Sequence, residues 1–116
     1  MKFLFVHQNF PAQFKHVAPT LARRGHSVTA LAITPRDQPP GVTVHRYRPQ
    51  RNSSPAIHPW VGDFESKVIR GEACFLAAQH LASSGYQPAL IVGHPGWGAF
   101  LFIKELWPST PQLHYL

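Results

Sequence analysis

Short, continuous apolar runs recur along this chain, and the segments between them have apolar residues at helical spacing. Such runs are typical of strands that are buried on both faces of a parallel sheet. They predict strands at 3–6, 27–33 and 88–93. In the segment 42–47, Val42, Val44 and Arg46 alternate with Thr43, His45 and Tyr47, which predicts a strand nearer the sheet edge. The segment 112–116 predicts a fifth strand.

Three segments between these strands have the apolar periodicity of helices. In the first, 12–24, Pro19 lies near the middle and predicts a kink, because proline removes a backbone hydrogen bond. The second, 60–84, includes Gly71 on its apolar stripe, where another backbone could come close. The third is a short helix at 99–107. The stripe of the second helix consists of Val61, Phe64, Val68, Gly71, Phe75, Ala78 and Ala82.

The resulting order, β-α-β-β-α-β-α-β, predicts an α/β fold. It favours an open, mostly parallel, Rossmann-like sheet with strand order 3-2-1-4-5 and helices on both faces. The length of 116 residues suits a single domain, 1–116. Because the fifth strand would be an unpaired edge, we expect the natural protein to continue past residue 116, or this chain to pair with a copy of itself through that edge.

Composition narrows the class of protein. The chain is 44% hydrophobic and only 14% charged, which excludes a disordered chain and suggests that part of its surface is covered by a second domain or a partner. No apolar run is long enough for a signal peptide or a membrane span, so we expect a cytoplasmic location, with peripheral contact to the inner membrane left open. The single cysteine, Cys74, lies in the helical pattern and is predicted to be a buried, inert thiol.

The charge balance is basic, with 11 Lys and Arg against 5 Asp and Glu, a formal net charge of +6. Arg46, Arg48 and Arg51 follow the third strand and are a candidate anion-binding cluster, because guanidinium groups match phosphate and carboxylate geometry. A solvated basic face is the alternative. No recognised nucleic-acid-binding module is present, so we do not expect nucleic acid as a partner.

Ligands of open parallel sheets bind at the carboxyl ends of the strands, where the strand order reverses. That point lies between the first and fourth strands, followed by the turns 7–11 and 94–98. His94 is the candidate catalytic residue, since imidazole can polarise or deprotonate a hydroxyl group of a ligand. The alternative is a histidine that only caps its turn. The candidate substrate-binding residues are His7, Asn9, Gly96, Trp97 and Gly98.

Several classes of site are excluded by missing motifs. The chain has no G-x-G-x-x-G dinucleotide fingerprint and no G-x-x-x-x-G-K-[ST] phosphate-binding loop. It has no H-E-x-x-H, and one cysteine excludes a thiolate-rich zinc site. We therefore expect neither a metal ion nor a tightly bound cofactor.

Four segments carry a family resemblance: FLFVHQNFPAQF at 3–14, RGH at 24–26, HPWVGDFE at 58–65 and GHPGWG at 93–98. Together they resemble the amino-terminal domain of glycosyltransferase family 4 proteins, and more narrowly a bacterial branch with a His-Pro-Gly-Trp-Gly loop. Many relatives have glycines in the first loop that approach the donor phosphates. Here that loop reads Asn9-Phe10-Pro11-Ala12, which leaves phosphate contact from it in doubt.

The resemblance implies a GT-B fold, in which two Rossmann-like domains face each other across a cleft. It implies that this half holds a sugar or glycolipid acceptor, whereas a carboxy-terminal domain binds the nucleotide-sugar donor. It further implies retaining, metal-independent transfer, with His94 near the transferred sugar, and no activity for this half alone. The alternative is a stand-alone binding or oligomerisation module without catalysis, and a basic binder of nucleic acid or anionic lipid is the third interpretation.

Overall fold

A computed structural model describes residues 1–115 of the chain, and its centre is a parallel sheet of five strands. The order is β3-β2-β1-β4-β5, and every neighbouring pair is parallel, which confirms the predicted topology. Residue 116, the end of the predicted fifth strand, lies outside the described residues. The strands are β1 (Lys2–Val6), β2 (Ser27–Ala32), β3 (Val42–Arg46), β4 (Leu90–Gly93) and β5 (Gln112–His114).

The register of β1 aligns the carboxyl ends of the central strands. Val6 lies opposite Leu31 of β2 on one side and opposite Gly93 of β4 on the other. The next residues in the chain, His7 and His94, therefore leave the sheet side by side. This is the switch point that the strand order predicts for ligand binding.

The first helix is shorter than the predicted segment 12–24. A 3₁₀ turn covers Ala12–Phe14, and the α-helix α1 covers only Val17–Arg23. Pro19 is thus the third residue of α1, within the first turn, where backbone N–H groups have no partner inside the helix. The predicted mid-helix kink is therefore wrong, because proline at this position removes no helical hydrogen bond.

The second predicted helix is confirmed as α2, Pro59–Ser83. Its first turn is capped by His58, whose Nδ1 accepts a hydrogen bond from the backbone N–H of Trp60 at 3.0 Å. The apolar stripe is buried only in its later part. At the start of the helix Val61 and Phe64, both predicted as part of the stripe, are exposed over 43% and 63% of their surface.

The third predicted helix, 99–107, is wrong. The segment forms turns and a short 3₁₀ helix, Ile103–Glu105. Gly98 (φ 90°) and Phe102 (φ −121°) interrupt helical geometry, while Phe100 and Trp107 are buried. Here burial of large side chains against the sheet outweighs a modest helix propensity.

Helices cover both faces of the sheet, as predicted. On one face Leu4, Val6 and Ile91 pack with residues of α2 such as Cys74. On the other face Phe3 and Phe5 pack with Phe14 and with Ala18 of α1. Within residues 1–115, no helix combines the length and the apolar character that a membrane crossing requires.

Candidate functional site

Three aromatic rings meet where β1 and β4 end. The His7 ring lies edge-on to Trp97 and to His94, with centroids 5.0 Å and 6.2 Å away. The His94 ring stacks on Trp97, with centroids 4.9 Å apart and planes 14° apart. The structure therefore brings together three residues of the predicted site, from two turns far apart in the chain.

Each of the two histidines accepts a hydrogen bond from the backbone N–H two residues further along. The N–H of Asn9 donates to Nδ1 of His7 at 3.0 Å, and the N–H of Gly96 donates to Nδ1 of His94 at 2.9 Å. Because Nδ1 accepts in both rings, each neutral imidazole carries its proton on Nε2. His94 can therefore donate from Nε2 to an oxygen of a ligand. Removing a proton with this ring would require the other tautomer and the loss of the Gly96 bond.

The two imidazoles have different environments. His7 is only 4% exposed, whereas His94 is half-buried. Burial lowers the pKa of His7 from its ordinary value of 6.5, and repulsion from His94 lowers it further. A hydrogen bond with the side chain of Gln13 partly opposes both effects. His7 is therefore a neutral ring at pH 7, and it contributes shape rather than charge.

Helix α2 holds the second turn in place. Arg70 donates from Nε to the carbonyl of Trp97 at 2.9 Å, and its Nη1 donates to Ser66 at 2.8 Å. The carbonyl of Gly98 lies so close to Gly71 that a Cβ added there would be only 2.6 Å from it. The predicted close approach at Gly71 is thus confirmed. Arg70 was missed by the sequence reasoning, because an arginine on a helix carries no local signal of its distant partner.

The remaining substrate-binding candidates contribute mainly through the backbone. Asn9 and Gly96 provide the N–H groups that orient the imidazoles. Gly98 is buried, and its left-handed backbone packs against the Lys67 carbonyl of α2. We therefore assign Gly98 to positioning the turn. Its contact with a ligand, which was predicted, has no support in this geometry.

The three predicted anion-binding arginines do not form one cluster. Arg46 and Arg48 line a common cavity of about 350 Å³. Arg51 lies elsewhere, with Nε 3.4 Å from a carboxylate oxygen of Glu72. The sequence reasoning missed Arg36, which lines an adjoining cavity with Arg46, because ten residues separate the two along the chain.

The single cysteine is an inert thiol in the core of the domain. Cys74 is buried, as predicted, and burial raises the pKa of its thiol to about 12. A thiol with that pKa is almost entirely protonated at pH 7 and is a poor nucleophile. Across residues 1–115, no three His, Cys, Asp or Glu side chains are grouped so that they could hold a metal ion.

Comparison with known families identifies the chain. The sequence model of the glycosyl transferase family 4 group matches residues 24–116, which include the His94 turn and the arginines. The chain belongs to this family. The match covers three of the four segments that carry the family resemblance, whereas the first, 3–14, lies outside it.

Two further comparisons bear on this glycosyl transferase family 4 domain. No curated protein matches its sequence. Among solved structures, the carboxy-terminal domain (residues 78–226) of a hydrogenase from Pyrococcus furiosus is similar, with a TM-score of 0.62 and 14% identity. The similarity covers 99% of this chain and 90% of that one. At this identity it shows a shared fold alone.

Proposed function

We propose that this chain is the acceptor-side domain of a retaining, nucleotide-sugar-dependent glycosyltransferase, in a bacterial branch with a His-Pro-Gly-Trp-Gly loop. The observation that carries the proposal is the orientation of His94. Its Nδ1 is occupied by the Gly96 N–H, which leaves Nε2–H as a donor at the switch point of the sheet. In this role His94 donates to a hydroxyl of the transferred sugar and positions it for attack by the acceptor.

Trp97 and His7 support this donor. The indole stacks on one face of the His94 ring, and the edge of His7 contacts the same indole. Stacking of this kind restricts the imidazole to one orientation, and a fixed donor stabilises developing charge better than a mobile one. Trp97 thus acts as a positioning residue for His94.

The hydrogen bonds of the first turn, 7–11, favour binding of the nucleotide-sugar donor by a different domain. Its N–H groups are already used within the turn: Asn9 donates to the His7 ring, and Phe10 donates to the His7 carbonyl at 3.2 Å. These N–H groups are thus not free for the phosphates of a nucleotide-sugar. We place donor binding on a carboxy-terminal domain of the GT-B fold, in a cytoplasmic protein, and we expect no transfer by this chain alone.

The test is a nuclear magnetic resonance titration of the purified chain with glucose and with UDP-glucose. We expect the His94 Nε2 and Trp97 indole signals to shift with millimolar glucose, and we expect no consumption of UDP-glucose. His80, which is exposed in the last turn of α2, is the internal control, and its signals should not shift with glucose. Turnover of UDP-glucose, or equal shifts at His80 and His94, would overturn the proposal.

The exposed edge strand β5, which pairs with the strand that precedes His94, supports a second candidate, a self-associating module. Leu113 and Tyr115 at the β5 edge are 57% and 58% exposed. They border an apolar cavity of about 490 Å³ that also includes Phe14 and Val92. A second copy covering this edge would remove both from water. A monomer by light scattering at high concentration would contradict this candidate, whereas a dimer that the substitution Leu113→Lys dissociates would support it.

A further inference from the structure

A second polar site lies on the same edge of the sheet, beyond β2 and β3. Two cavities, of about 250 Å³ and 350 Å³, share Arg46 as a lining residue. The first is also lined by Arg36, and the second by Arg48 and Thr34. Three arginines thus line adjoining cavities: Arg46 at the end of β3, and two from the loops that follow β2 and β3.

These arginines have no internal counter-ion in the part of the chain that the structure describes. No hydrogen bond or ion pair involves the guanidinium groups of Arg36, Arg46 or Arg48 there, whereas Arg51 pairs with Glu72 and Lys67 pairs with Asp63. The one acidic residue that lines either cavity, Asp37, accepts a hydrogen bond from the Gln38 backbone N–H at 2.8 Å. Because three neighbouring arginines have at most one acidic side chain beside them, their charge favours the binding of an anionic ligand from solution.

Backbone hydrogen bonds fix the position of these arginines relative to the turns of His7 and His94. The N–H of Arg36 donates to the carbonyl of Phe10 at 2.8 Å, and the N–H of Tyr47 donates to the carbonyl of Ala32 at 2.9 Å. The loop after β2 is therefore hydrogen-bonded to the loop after β1, and the first residue after β3 is hydrogen-bonded to the last residue of β2. Since β3 is three strands from β4, Arg46 and His94 start about 14 Å apart along the edge.

We propose that Arg36, Arg46 and Arg48 form a subsite for the phosphate ester of a phosphorylated acceptor. Guanidinium forks bind phosphate oxygens in pairs, and a dianionic phosphate neutralises more of this charge than a carboxylate does. A phosphate held there leaves a span of about 14 Å for the rest of the acceptor to reach His94. This last step rests on the function proposed above, whereas phosphate binding itself does not.

The test is calorimetric titration of the purified chain with inorganic phosphate and with glucose 1-phosphate. We expect the substitution Arg46→Gln to weaken the binding of both by about tenfold, because charge-assisted hydrogen bonds to phosphate are lost. Arg48→Gln should act in the same direction. The matched control is Arg51→Gln, which removes the same charge from a residue that pairs with Glu72. It should leave binding nearly unchanged, and circular dichroism would verify that each variant is folded.

The remaining arms separate the possible sources of phosphate. Binding to phosphatidic acid vesicles, whose head group is a phosphate monoester, but not to glucose 1-phosphate assigns the subsite to a lipid head group, and the reverse assigns it to a soluble phosphate ester. Absence of binding to both overturns the subsite, as does equal weakening by Arg46→Gln and Arg51→Gln. Either result leaves the glucose response of His94 untouched, so the two proposals fail separately.

Discussion

The turns after β1 and β4 use the same local device but are held in different ways. Both place a histidine directly after a strand, with its Nδ1 accepting from the backbone N–H two residues on. The first turn is held by main-chain hydrogen bonds, including those from Ile33 and Thr34 to the carbonyl of Gln8, and by the full burial of Phe10. The second is held by α2, through Arg70 and the close approach at Gly98.

The difference shows that one hydrogen-bond pattern can serve two purposes. His7 is enclosed, and its lowered pKa keeps the ring neutral as part of the wall of the site. His94 has the same tautomer, but it is only partly buried, so its Nε2–H is available to a ligand. The two turns have the same hydrogen bond, so the different roles of the histidines follow from how far each ring is covered. The covered His7 ring supports the site, whereas the less covered His94 ring can contact a ligand.

The largest expected effect tests how the His94 turn is held. Gly98→Ala places a Cβ in a left-handed backbone and against the backbone of Lys67. We expect it to lower the free energy of unfolding by about 4 kcal/mol, as the sum of left-handed strain and overpacking. Gly85→Ala is the matched control, because Gly85 has φ +91° with nothing near the added Cβ, and it should cost about 1–2 kcal/mol. Equal losses in urea unfolding would show that contact with α2 does not hold this turn.

A smaller effect separates the two rings. His7→Ala should destabilise the fold by about 2 kcal/mol, because it empties a buried site and leaves the Asn9 N–H without its acceptor. His94→Ala should cost about 1 kcal/mol, the usual contribution of a capping side chain. For ligand binding we expect the opposite order: His94→Ala should abolish the glucose-induced shift of the Trp97 indole signal, and His7→Ala should affect it less. A larger loss of stability in His94→Ala would contradict the comparison.

The smallest effect is the pH dependence of stability. The folded pKa of His7 is lowered, so below its ordinary value of 6.5 the unfolded chain binds more protons than the folded one. The contribution of His7 is therefore complete above pH 6.5 and is lost as the pH falls through its folded pKa. The denaturation midpoint should drop on acidification, and the drop should shrink in His7→Asn. An equal drop in both proteins would show that His7 does not carry the effect.

The α2 stripe shows how far the periodic pattern reaches. The spacing of apolar residues predicts the whole helix, and the helix exists almost as predicted. The same spacing also predicts one buried face, yet Val61 and Phe64 are exposed, whereas Ala78 is fully buried. The spacing of apolar residues indicates a helical backbone, but the burial of each side chain depends on whether another element packs against it.

The candidate site divides in the same way. The strand order follows from alternating elements, and it predicts that the turns of His7 and His94 meet. The partnership of Arg36 with Arg46 and the separation of Arg51 could not be predicted, since both depend on how loops fold back over the edge. The short helix expected at 99–107 failed for a similar reason, because buried Phe100 and Trp107 outweigh a weak local preference.

By itself, the amino-acid sequence determined the parallel sheet, its strand order, the family and the edge at which the turns of His7 and His94 meet. These properties follow from local periodicity and from the few topologies that parallel strands allow. Only the tertiary structure decided which histidine is enclosed, which arginines share a cavity and which part of α2 is covered. Those properties depend on contacts between residues far apart in the chain, and no local pattern records them.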